Sequence, residues 1–394
     1  MNEVSKINYT ISDKTLNKVV NITCFGKTHD LYCVLENSYK AEKTAGFNST
    51  VTLTTQATSG FEYHVEQLCR RWQGPISVAL YVPADDFRQS RENIEYLRDC
   101  GHRCVRHWVT WHLFYDLLHP PTTTLLESTR ILTNTAWKTN GSRTGRSKSK
   151  CKSKPLFNTE SYVRRKVLPY PINVARNIAR MAAKTHYVFA SDIELYPSEN
   201  IIPRFIRLID DLKNKTPNFS TKRQVFVLPV FEVQLGTEPP TKKPDLKLLM
   251  EKKVAIPFHY YFCRMCHMIP KLSQWLEIQG SPVKLNIFLS TKRRRIGKYS
   301  GWEPFFIGTN KDPLFEERMS WNGKYNKMQV ALELCFQNYD LHVLDDAFLV
   351  HAPGIKRIDV DRKKLRLPFV GKNFNIFKQI MGELQQKYPD RINC

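Results

Sequence analysis

No stretch of this chain approaches the roughly 18–20 consecutive apolar residues that a membrane-spanning helix needs, and its first residues lack the apolar core of a signal peptide. Acidic side chains are scarce beside basic ones: 37 Asp and Glu stand against 60 Lys and Arg, a formal net charge of +23. Such an excess calls for an anionic partner without choosing among nucleic acid, membrane surface, acidic glycan and nucleotide. A helix-turn-helix and a finger motif are missing, so no nucleic-acid partner is expected. No internal repeat occurs, which argues against a solenoid. The single C-x-x-C, Cys263-Arg264-Met265-Cys266, has no second pair, and His259 and His267 flank it without finger spacing, so zinc or redox chemistry there rests on that pair alone.

What is present fits a globular protein. With 394 residues, 42% hydrophobic and 25% charged, the chain can bury one large core or two smaller ones. Ten cysteines and six N-x-S/T triplets (Asn8, Asn21, Asn48, Asn140, Asn214, Asn218) tilt the reading toward a secreted or luminal compartment, where several cysteines are expected to pair. The basic runs at 143–154 and 292–295 read as solvated segments.

Residues 1–48 are polar and without sustained period, a leader or stem-like segment; the folded domain is expected over 49–394, with an inserted basic loop at about 119–160. From position 51 strand and helix patterns alternate: a β-branched strand at 51–55, helical spacing at 61–72, a buried strand at 76–82, a helix at 87–98 and a strand at 104–109. The alternation predicts an α/β fold with a mostly parallel central sheet flanked by helices. It resumes with a helix at 172–184, whose apolar stripe Val174, Ile178 and Ala182 opposes a polar side of Asn173, Arg176, Asn177, Arg180 and Lys184. A strand at 187–190, an acidic turn, a helix to about 213 and a strand at 225–230 follow. Further on come a helix at 327–336 and strands at 342–344 and 347–351.

Asp192 and Glu194 leave the carboxyl end of a strand, where ligands sit in open α/β sheets. Two carboxylates at i and i+2 can reach one hard cation, which would bridge a diphosphate; alternatively they are only an acidic approach to the next helix. Asn173, Arg176, Asn177 and Arg180 can present amides and guanidinium groups to a ribose and phosphates, or form a solvated helix face. His351 ends an apolar strand, where a neutral imidazole would complete a metal shell or be a satisfied strand-end histidine.

Four blocks in order resemble glycosyltransferase family 49: residues 51–86; 170–203, with NVARNIAR and SDIELYPS; 302–306 (WEPFF), continuing through FEER at 315–318 and YNK at 325–327 to 334; and VLDDAFLVHAPGIK at 343–356. The pair Cys263/Cys266 followed by Trp275, and the tail from Lys387-Tyr388-Pro389 to Cys394, fit the same pattern. The resemblance implies a GT-A nucleotide-sugar-binding fold, a divalent metal such as Mn²⁺, an inverting mechanism and type II membrane topology in the Golgi, with an anchor outside this chain. It puts Asp192 and Glu194 at the family's D-x-D metal position and His351 at the third ligand. The family turn ends in Asp, and here Glu194 carries its carboxylate about one bond length further out. Inversion needs a base for the acceptor hydroxyl; Glu303 and Glu316 match acidic positions of the pattern, with a slight preference for Glu303. Arg318 and Lys327 are candidates to meet a donor carboxylate. The implied reaction moves glucuronic acid from UDP-glucuronic acid to a glycan acceptor ending in xylose, in protein O-mannosyl glycosylation. Another UDP-sugar, or a weakly active or inactive glycan-binding relative, are the alternatives that Glu194 raises.

Overall fold

A computed structural model describes residues 5–13, 16–122, 126, 151, 154–155, 157, 160–292, 299–352, 354–357, 360–390 and 394. The basic runs and Asn140 lie largely outside these residues.

Two sheets organise the chain. The first strands, β1 (Ser5–Asp13) and β2 (Leu16–Cys24), form a separate antiparallel hairpin. β3 (Lys27–His29) and β4 (Tyr32–Tyr39) follow, tied back by a Cys24–Cys33 disulfide, and β4 pairs with the main sheet. Residues 27–39, read above as part of a leader, thus close one edge of that sheet.

The sheet's centre is parallel: β5 (Val51–Thr58), β6 (Ile76–Tyr81), β7 (Val109–Asp116) and β8 (Tyr187–Ala190) lie in the order β8-β5-β6-β7. All six residues of β6 and seven of eight in β5 are buried, as expected of parallel strands covered on both faces. β9 (Leu195–Pro197), β10 (Gln224–Leu228), β11 (Val230–Val233), β12 (Ala255–Pro257), β13 (Ile287–Thr291), β14 (Phe305–Thr309), β15 (Asp340–Leu344) and β16 (Leu349–His351) complete the set. Ten strands run β13-β15-β10-β14-β8-β5-β6-β7-β4-β3, and four run β12-β11-β16-β9. With antiparallel partners on both flanks of its parallel centre, the large sheet is mixed rather than parallel throughout.

Three strands of the small sheet continue strands of the large one. β9 follows β8, β16 follows β15, and β11 follows β10 across Pro229, which has no N–H for the ladder and lets the chain change sheets. The stretch read as one strand at 225–230 is therefore two. The expected strand at 104–109 is instead a short helix, Cys104–Trp108, leading into β7. Short apolar runs do not distinguish the two by pattern, and a Cys69–Cys104 disulfide pins this one against helix His64–Trp72.

The main core joins Leu53, Trp72, Phe87, Trp111, Phe189 and Phe205; a second cluster around Phe231, Trp275, Trp302 and Phe348 supports the small sheet. All ten cysteines pair, adding Cys100–Cys151, Cys263–Cys266 and Cys335–Cys394 to the two bridges above. The C-x-x-C closes on itself, which removes its thiolates from any zinc site. Among the described residues no helix is long and apolar enough to cross a membrane.

Candidate functional site

The crossing from β8 to β9 carries Asp192 and Glu194 into the seam between the sheets, and the two carboxylates meet different company. Asp192 Oδ1 accepts from Arg176 Nη2 at 2.8 Å and from Gln56 Nε2 at 2.9 Å; Lys327 Nζ lies 3.4 Å from Oδ2. Burial by itself would raise this carboxyl, but Lys327 and Arg176 hold it well below the usual carboxylate range. Burial lowers the Lys327 ammonium against the pull of Asp192, and that ammonium sits 4.0 Å from the centre of the Phe305 ring.

Glu194 instead faces His351, with Oε2 3.3 Å from Nε2, and Lys356 Nζ approaches the same oxygen at 3.4 Å. Against the burial that opposes it, His351 and Lys356 hold Glu194 down at about 2. His351 is 1% exposed and its Nδ1 lies 3.1 Å from the Gly354 carbonyl. A carbonyl only accepts, so Nδ1 carries a hydrogen, while Nε2 faces the carboxylate. Burial lowers the ring's pKa against the pull of Glu194. Two acceptors this close need a cation between them: a proton, which makes the ring an imidazolium, or a metal ion. The donor set fits a divalent cation of the zinc–manganese kind. Yet among the described residues no three His, Cys, Asp or Glu side chains gather closely enough to hold an ion. Glu194 and His351 come together, while Asp192 is satisfied by cationic side chains.

The polar stripe on helix Ile172–Met181 has another task. Residues 172–180 are all buried, so neither a solvated face nor an open ligand face exists there. Asn173 Nδ2 donates to the Glu316 and Asn326 carbonyls, and Asn177 Nδ2 to the Phe315 carbonyl and to Glu317. Arg180 donates to the carbonyls of Thr309, Asp312 and Pro313 at 2.6–2.8 Å. Hydrogen bonds to a charged group contribute about 1.5–3 kcal/mol each, so this fork fixes the 309–326 segment firmly. Only Arg176 reaches the acidic turn.

Of the two candidate bases, Glu316 is gripped by Arg318 through two side-chain bonds of 2.8 Å. Burial opposes it, but Arg318 lowers the carboxyl and with it the basicity. Arg318 is itself bound on its other side by Glu383. Glu303 is half-buried; its charge acts on Lys327, and its backbone carbonyl accepts from His267 Nδ1 at 3.0 Å. Sequence reasoning missed Gln56, Lys356 and His64. His64 is buried, bonded through Nδ1 to the Tyr196 hydroxyl at 2.6 Å, and held neutral, down to about 4, by burial. Lys356 stood inside a quoted block, but nothing local marks its reach to Glu194. A cavity of about 30 Å³ between Arg176, Asp192, Lys327 and the apolar Val188, Phe305 and Val330 has room for a water or two, well short of a nucleotide pocket.

Sequence comparison gives the class of protein to which this site belongs: the chain is a glycosyltransferase. It belongs to the family described as glycosyl-transferase for dystroglycan, whose pattern matches residues 50–389. It is 26% identical over 369 residues to a beta-1,4-glucuronyltransferase 1 of Danio rerio, covering 86% of this chain and 74% of that one. The human beta-1,4-glucuronyltransferase 1 is 25% identical, with 88% and 78% covered. A xylosyl- and glucuronyltransferase LARGE2 of Mus musculus is 24% identical over 313 residues, 79% of this chain and 35% of the relative.

Proposed function

We propose that this glycosyltransferase has a GT-A fold and transfers glucuronic acid from UDP-glucuronic acid, with inversion, to a glycan acceptor ending in xylose during protein O-mannosyl glycosylation in the Golgi lumen. The observation that carries the reading is the facing pair of acceptors, Glu194 Oε2 and His351 Nε2, 3.3 Å apart. Glu194 and His351 would hold a divalent ion, Mn²⁺ in this reading, which when bound offsets the charge of the departing diphosphate, and Asp192 would join them on leaving Arg176 and Lys327. Lys356, partly exposed beside Glu194, is suited to a phosphate, and Lys327 with Arg176 to the donor carboxylate. Glu303 takes the proton of the acceptor hydroxyl, because Glu316 is committed to Arg318. Five disulfides and exposed sequons at Asn48, Asn214 and Asn218 support an oxidising, luminal compartment. One observation favours a second reading, xylose transfer: Arg318 is already paired with two carboxylates, and an uncharged sugar needs no cation.

The test is purified protein with a panel of UDP-sugars, with and without Mn²⁺, scored for UDP release and for transfer to a xylose-terminated acceptor. Metal-dependent transfer from one donor, lost in Asp192→Ala, is expected. No UDP release from any donor in the presence of metal refutes the reading.

A further inference from the structure

Glu232 has no role in the chemistry above, yet it is a fully buried carboxylate beside the site. On β11 it is the register partner of His351 on parallel β16, so both side chains leave the same face of the small sheet. Its Oε2 accepts from the backbone N–H of Lys356 at 3.3 Å, and the backbone amides of His259 and Tyr260 also act on the carboxylate. Oε1 has no partner among the described residues. An ion this deep is costly to bury, and an apolar side chain of similar size would avoid that cost.

The amide it holds belongs to one of the two segments that frame the His351 ring. Lys356 lies two residues beyond Gly354, whose carbonyl takes the His351 Nδ1 hydrogen. Gly354 has φ +122°, a conformation that favours glycine. His259 and Tyr260 directly follow Phe258, whose ring lies 5.3 Å from that of His351.

We propose that Glu232 is a positioning residue that anchors the 354–356 segment and so fixes His351 with Nδ1 protonated and Nε2 turned toward Glu194. The functional meaning of that orientation rests on the cation-site reading above; the orientation itself does not. Partners that orient a metal-binding histidine in this way change metal affinity by roughly 10–100-fold when removed.

The experiment uses the full chain labelled with ¹⁵N-histidine. Long-range ¹H–¹⁵N correlations report which ring nitrogen of His351 carries hydrogen, and His351→Asn assigns the signal. Glu232→Gln is expected to abolish the fixed hydrogen at Nδ1. Asp86→Asn is the control: Asp86 is another buried carboxylate, accepting from the amides of Tyr162 and Val163 elsewhere in the fold, and its loss should leave the tautomer intact. Gly354→Ala disturbs the same turn independently and should reproduce the loss if Glu232→Gln does not fold. An unchanged His351 tautomer in Glu232→Gln, or in Gly354→Ala when that variant stands in, overturns the proposal. In parallel, Mn²⁺-dependent UDP affinity should fall roughly 10–100-fold in Glu232→Gln and stay unchanged in Asp86→Asn. Wild-type protein that binds no UDP with Mn²⁺ would sink the functional reading, while the tautomer still decides the role of Glu232.

Discussion

Glu232 also makes a thermodynamic prediction that needs no substrate. Burial, opposed by the surrounding amides, pushes its carboxyl up from 4.5 to about 7. Between those values the folded protein keeps a proton that the unfolded chain has released. The folded state then binds more protons, so stability falls as pH rises from 4.5 to 7 and this contribution is flat above that. Raising the carboxyl from 4.5 to about 7 amounts to about 3 kcal/mol. An unfolding entropy of about 2.1 cal/mol/K per residue gives roughly 0.8 kcal/mol/K for this chain, so the effect is about 4 °C in Tm. Glutamine does not titrate. The difference in Tm, wild type minus Glu232→Gln, should therefore shrink by about 4 °C between pH 4.5 and pH 8 in parallel thermal melts. A difference that stays constant with pH would refute the reasoning, because no buried carboxyl would then be titrating at that position.

Three further substitutions probe the seam. Asp192→Asn removes the charge that offsets buried Arg176 and Lys327, and breaking such a pair costs about 3–5 kcal/mol; thermal melting should register it, and UDP release should disappear. Lys356→Met removes a partly exposed pairing, so stability should change by less than about 1 kcal/mol, while calorimetric titration should find weaker UDP binding; unchanged binding would exclude Lys356 from the phosphate site. Arg180→Lys loses the planar fork to three carbonyls, a destabilisation of about 3 kcal/mol that a melting curve should show; a wild-type melt would mean the 309–313 segment is held by something else.

The elements legible in the sequence are those governed by short-range pattern. The β-branched run at 51, the helical spacing through Trp72 and the apolar run from Ile76 each specify their own local geometry, and the structure has β5, a helix and β6 there. The acidic turn after β8 was readable for the same reason: a strand end followed by alternating carboxylates is a local signal. Block order carried the family, since matched residues accumulate along the chain whatever their contacts.

What the tertiary structure decided is which partners those residues meet. Asn173, Asn177 and Arg180 form a polar stripe by spacing, but only the approach of the 309–326 segment, more than 120 residues away in sequence, turns the stripe inward to bind carbonyls. Glu232 lies beyond the strand expected at 225–230, and only the pairing of β11 with β16 lays His351 beside it. Asp192 and Glu194, two residues apart, are held by different cations because Lys327 and Lys356 come from separate elements. Periodicity encodes which face a side chain leaves, whereas its hydrogen-bond partner and its pKa depend on charges and burial that only long-range packing brings within a few ångströms.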